Sequence, residues 1–231
     1  MRFALAAALP CLLGASLLAL ATGAAGAEKS KAIPSPSLFP YLDTYLNLPA
    51  NTRDRYHLSY VVGTQGGQKS DFHMTLNRPS GDVALSIAPD GEILPLPTLA
   101  DLKDKTPVTI QAPDGSRFGM SLRVAATIEM AKTYDATPLK ASIEQARSGA
   151  KKAAGLLAVA VPDFQTVCFA GTLSGTATLA NGKTVALPGI KQAGDVPAGT
   201  PCFTPSALPD ARTIALDRAP RVIYIQPKPK S

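Results

Sequence analysis

Residues 117–130 read RFGMSLRVAATIEM, and their alternation sets the fold class. Phe118, Met120, Leu122, Val124, Ala126, Ile128 and Met130 fall on even positions, while Arg117, Arg123 and Glu129 fall on odd ones. Successive side chains of a strand point to opposite faces, so this period of two predicts one long strand with a buried and a wet face. Val83, Leu85 and Ile87 repeat the pattern on a smaller scale. Pro89-Asp90-Gly91, Pro113-Asp114-Gly115 and Asn181-Gly182 each sit between such runs. Asn, Asp and Gly tolerate the positive φ of tight turns, so each predicts a hairpin.

Helical signals are fewer. Thr137-Pro138 reads as an N-cap and first-turn pair, and Leu139, Ile143, Ala146, Ala150 and Ala153 follow at helical spacing up to Gly155, a C-cap residue. A shorter helix is predicted from Phe39 to Leu48, with Leu42, Tyr45 and Leu46 on one side. The expected fold is therefore α+β with antiparallel sheet predominant. An all-β sandwich with one peripheral helix is the alternative.

The middle of the chain reads as one pattern written twice. Asp71-Phe72, Ser80-Gly81, Leu85, Asp90-Gly91, Leu96-Pro97 and Thr106-Pro107 match Asp163-Phe164, Ser174-Gly175, Leu179, Asn181-Gly182, Leu187-Pro188 and Thr200-Pro201, at an offset of 91–94 residues. This predicts two tandem similar units, 38–135 and 136–226, each a helix followed by several strands, either standing apart or sharing a continuous sheet.

The ends carry different signals. Met1 and Arg2 give a basic start, Phe3 to Leu20 is almost unbroken apolar sequence, and small residues lead to Ala25-Gly26-Ala27. That order predicts a signal peptide over 1–27, clipped after Ala27. No later stretch is long and apolar enough to span a bilayer, so no transmembrane segment is expected after cleavage. Residues 28–37 (EKSKAIPSPS) read as a leader without fixed structure, and 227–231 (PKPKS) as a basic tail.

Export settles the cysteines. Cys11 lies in the apolar run and leaves with the signal, so Cys168 and Cys202 remain in a compartment that oxidises thiols and should form a disulfide. A metal site joining them to His57 and His73 lacks the close ligand pairs that zinc sites use, so no metal is expected. At the repeat offset Cys168 falls on Met74 (or Leu76) and Cys202 on Val108, an apolar pair expected to face the same core.

Chemistry-bearing motifs are weak. The formal net charge is +6, one unit of it on Arg2, and the charges are dispersed. Nucleic-acid binders cluster theirs with aromatics on one face, so no nucleic acid is expected. Ser148-Gly149-Ala150-Lys151 fits S-x-x-K but lacks that fold's other motifs, and reads as a solvated helix end. Gly171-Thr172-Leu173-Ser174-Gly175 has the wrong spacing for a nucleophile elbow. Asp101 and Asp104 alternate with Lys103 and Lys105, a solvated run. No phosphate-binding glycine loop, calcium loop or dinucleotide fingerprint is present, so no cofactor is expected. The residual catalytic candidates are His73, Asp71 and His57: Asp71 and His73 bracket Phe72, and a carboxylate beside an imidazole can orient a general base. The leading expectation is a periplasmic or secreted, non-catalytic binding protein that uses a sheet face or strand edge to meet a protein or envelope component. The rival is a small periplasmic hydrolase built on the His/Asp pair.

Overall fold

The computed structural model describes residues 28–65, 67–154, 163–191 and 196–227. The signal segment with Cys11, the Gly155 cap and residues 228–231 of the tail lie outside the described residues.

In chain order the elements are β1 (Glu28–Pro34), α1 (Ser35–Leu38), α2 (Leu42–Asn47), β2 (Tyr56–Gln65), β3 (His73–Leu76), β4 (Val83–Ile87), β5 (Ile93–Leu94), α3 (Leu99–Lys103), β6 (Pro107–Pro113) and β7 (Arg117–Ala126). They continue with β8 (Thr133–Asp135), α4 (Ala136–Ala154), β9 (Phe164–Ala170), β10 (Gly175–Leu179), β11 (Thr184–Ala186), β12 (Cys202–Phe203), β13 (Ala211–Leu216) and β14 (Val222–Pro227). The strands build three sheets, ordered β1-β6-β3-β4-β5, β11-β10-β13-β8 and β12-β9-β14-β7-β2. Every pairing between these strands is antiparallel. The protein is thus rich in antiparallel β-structure with few helices.

The alternating stretch forms β7, paired along its whole length with β2 from Tyr56↔Ala126 to Gln65↔Arg117. It ends at Ala126, four residues short of the expected end. Phe118, Met120 and Val124 pack on the main core as their even positions predict, yet Leu122 stays 37% exposed. The odd face is not uniformly wet. Ala125 is fully buried because Ile190 and Val196 cover it, together with Cys168, Cys202 and Tyr224. A loop supplied from far along the chain overrides a local pattern there.

Gly91, Gly115 and Gly182 all take positive φ, as their turns require. Two of the turns join paired strands, β4 to β5 and β10 to β11. Pro113-Asp114-Gly115 instead leads from β6 in one sheet to β7 in another, so it is a corner rather than a hairpin.

The leader expected over 28–37 is structured: its first seven residues form β1, paired with β6 from Glu28↔Pro113 to Pro34↔Pro107. Prolines at the far end of an edge strand cost no ladder bond, which is why the proline-rich composition misled. The cap of α4 also moves. Asp135 Oδ1 accepts the Thr137 N–H at 2.7 Å, so the capping side chain is Asp135 rather than Thr137. Gly149 on α4 admits Tyr56 so closely that a Cβ there would overlap the Tyr56 hydroxyl.

Cys168 and Cys202 lie opposite each other on β9 and β12 with their sulfurs 2.10 Å apart, at bonding distance. Both are buried. The apolar pair expected at the matching positions of the first half, Leu76 and Val108, also lies face to face and fully buried, but in a different sheet. Met74 faces Ile110, and Leu76 faces Val108, in the outer sheet β1-β6-β3-β4-β5, whereas the cysteines sit in the central sheet. Turn motifs recur wherever hairpins recur, so the 91–94 offset matched punctuation rather than equivalent strands. The element boundary at 135/136 shifts too: β8 pairs with β13, on the side of the later strands.

Candidate functional site

A cavity of about 650 Å³ lies between α2, the start of β2 and the segment that follows β5. Its walls follow from local sequence. Leu42 is 1% exposed and anchors α2, placing Tyr45 and Leu46 along the cavity. The Tyr45 hydroxyl donates to the Tyr56 carbonyl at 3.0 Å, and the two rings meet edge-on. The Arg53 guanidinium stacks 5.2 Å from the Tyr45 ring centre, and its Nε donates to the Leu48 carbonyl. Arg53 is therefore held at the mouth by packing rather than by a carboxylate.

The opposite wall is Leu94-Pro95-Leu96-Pro97-Thr98-Leu99. Two prolines without N–H groups cannot extend β5, so the chain leaves the sheet as a strap. It is pinned at its far end by α3. Thr98 and Asp101 cap each other reciprocally, and the Asp101 carboxylate takes Arg78 through both oxygens at 2.7 and 2.6 Å. Arg78 and the Thr98 hydrogen bonds hold the Asp101 carboxyl down to about 2. Asp101 was expected in a solvated run; it is instead a buried anchor, 6% exposed. Leu94 remains 51% exposed on the cavity wall.

The floor is the outer edge of β2. Val62 donates its N–H away from β7, to the Gly91 carbonyl at 2.8 Å, and Val61 bridges Glu92. Backbone groups alternate in direction along a strand, so those of Leu58, four residues earlier, also point away from β7. The strap has parted from β2 by then, and β2 is the last strand of its sheet. Leu58 lines the cavity, and among the described residues no strand is paired with β2 at Leu58 on the side away from β7.

Two charges line this cavity, Arg53 and Glu92, and neither forms an ion pair among the described residues. His57 lies between them on β2. Its Nδ1 is 3.3 Å from Thr127 Oγ1, and burial pushes its pKa below 6.5 while Glu92 pulls the other way.

The three catalytic candidates do not assemble. His57 lines the large cavity, whereas His73 is exposed on β3 and lines a separate one of about 280 Å³. The Asp71 carboxylate accepts the Gln68 N–H at 2.8 Å and the Ser70 hydroxyl, so it caps its own turn. Ser148 and Lys151 lie on α4, and Leu173 sits 75% exposed in its loop. Among the described residues no group of three His, Cys, Asp or Glu could hold a metal ion, and no helix is long and apolar enough to cross a membrane. Sequence reasoning missed Tyr45, Arg53, Glu92 and the strap as site residues. The one available signal was the Leu-Pro-Leu-Pro interruption after a strand. Comparison with protein-family models, with curated proteins and with solved structures finds no match.

Proposed function

We propose that this is an exported, non-catalytic binding protein that holds an apolar segment of a partner protein or envelope component in the groove between α2, β2 and the Leu94–Leu99 strap. The observation that carries the reading is the leucine-lined groove with an open strand edge as its floor. Apolar walls with a few fixed polar groups are the usual make-up of a binding cleft. The His57 ring meets the Thr127 hydroxyl at 3.3 Å, but among the described residues no hydrogen bond joins it to Glu92 to orient it as a base, which is why binding is preferred to hydrolysis. The basic-apolar-small order of residues 1–27 and the paired cysteines support export to the periplasm or beyond.

The chain further reads as two similar units joined through one sheet. Support comes from strand order: β1-β6-β3-β4 in one outer sheet and β8-β13-β10-β11 in the other follow the same sequence of connections. Beside the central sheet, Glu92, just before β5, forms an isolated bridge to Val61 of β2, as β12 pairs with β9 through Cys168 and Cys202. The short α2 then stands where the second unit has the 19-residue α4, which leaves the groove uncovered in the first unit.

Selection from a displayed random-peptide library tests the binding role. Apolar peptides are expected on the wild type and lost from Leu94→Asp and Leu96→Asp. Capture of the same peptides by these variants and the wild type would place binding elsewhere and overturn the reading.

A further inference from the structure

We infer that the groove's occupant is an extended strand of a partner protein, added antiparallel to the free edge of β2, with a basic side chain towards Glu92 and an acidic one towards Arg53. This rests on the binding role proposed for the groove.

The first argument is hydrogen bonding. The N–H and carbonyl of Leu58 point away from β7 on a strand that ends its sheet, and such a pair of groups is matched by the backbone of another strand. Burying Leu58 under an apolar ligand would leave both groups without partners, at a cost of the kind that buried polar groups always carry. A peptide strand answers that demand, and apolar side chains on alternate positions can lie against Leu94 and Leu96.

Charge fixes the direction and composition. Strand β2 runs from the Arg53 end of the groove towards Val61, where Glu92 is bridged. An antiparallel guest therefore enters at Glu92 and leaves at Arg53. The opening is centred on Leu58, between the Tyr56 carbonyl, which takes the Tyr45 hydroxyl, and Val62, which donates to Gly91; a guest of about five residues centred there spans roughly 17 Å of strand. A segment with a cation at its start, an anion at its end and apolar residues between complements both unpaired charges. The antiparallel sense matches every pairing in the three sheets.

The test uses the whole exported chain, isotope-labelled, and the blocked pentapeptide acetyl-Lys-Leu-Thr-Leu-Asp-amide, titrated by NMR. Saturable shifts are expected at the amides of Leu58, Leu94 and Leu96. Two N-methylated analogues, one at both leucines and one at threonine, remove the two alternate sets of backbone donors, and one of them should bind at least tenfold more weakly. The charge-reversed peptide acetyl-Asp-Leu-Thr-Leu-Lys-amide should also lose at least tenfold on the wild type. On Glu92→Lys the two orders should bind about equally, and on the double variant Arg53→Glu with Glu92→Lys the reversed order should become the preferred one. Equal binding of both N-methylated analogues overturns strand addition and leaves the groove's binding role standing. Equal binding of the two charge orders on the wild type overturns the assigned composition. No shift with the designed peptide, while library peptides remain sensitive to Leu94→Asp, overturns the inference alone. Loss of that sensitivity overturns the proposed function beneath it.

Discussion

Replacing Asp101 with Asn removes one charge from a carboxylate that fastens the strap. The side chain is 7% exposed and accepts from Arg78 Nε and Nη2, from the Thr98 N–H at 2.7 Å and from the Thr98 hydroxyl at 2.6 Å. Its pKa is about 2 in the fold against 3.8 for an unperturbed group. A carboxylate so depressed contributes about 2–3 kcal/mol at neutral pH by linkage. Fully buried pairs lose about 3–5 kcal/mol when one partner goes, but Arg78 is 29% exposed and can rehydrate, so the lower figure is expected. The sign follows from a lowered pKa on an acid: the contribution is complete above the unfolded value near 3.8 and drains away as pH falls towards 2. Urea unfolding followed by circular dichroism should therefore show Asp101→Asn destabilised by about 2–3 kcal/mol at pH 7, with the gap narrowing to about 1 kcal/mol near pH 2.5. Arg78→Met should cost little more in the Asp101→Asn background than Asp101→Asn costs alone. A gap at pH 7 below about 0.5 kcal/mol, or one unchanged at pH 2.5, would refute the anchoring role.

Three further outcomes follow from the packing. Gly149→Ala should destabilise by about 1–3 kcal/mol, because Tyr56 is 4% exposed and its ring is braced by Tyr45; adding Tyr56→Phe should recover part of the loss in thermal melts. His57 should titrate below 6.5 in an NMR pH series, and Glu92→Gln should lower it further, since burial depresses it and Glu92 opposes. An upward move on that substitution would contradict the geometry. Mutating both Cys168 and Cys202 to Ala should cost about 3–4 kcal/mol, the chain-entropy value for a bridge across 34 residues, and reductant should then leave the melting temperature unchanged.

What could be read from the sequence was local. The alternation over Arg117–Ala126, the glycine turns at Gly91 and Gly182, and the helix after Thr137 all depend on near neighbours, and all three appear. What failed depended on distant ones. Ala125 is buried by Ile190 and Val196, and Glu28–Pro34 is ordered by pairing with β6, neither of which a window of ten residues contains. Asp101 looked solvated beside Lys103 and Lys105 because its partner, Arg78, lies 23 residues earlier. The groove was illegible for the same reason: its walls come from α2, β2 and the strap, and only folding makes them neighbours. The cysteine pair was legible because Cys11 alone of the three lies in the apolar run at the start, which left Cys168 and Cys202 as the pair.

The middle position of the central sheet belongs to β14, flanked by β9 and β7. Its Tyr224 and Ile225 meet Ala125 and Val124 across about a hundred residues of chain, so β14 clasps β7 to β9. A polypeptide threaded outward from its N-terminus cannot close that sheet in order of emergence. Until β14 is in place, β7 and β9 each wait with one bare flank. Chains cut before Val222 should therefore yield insoluble deposits rather than shortened, working proteins.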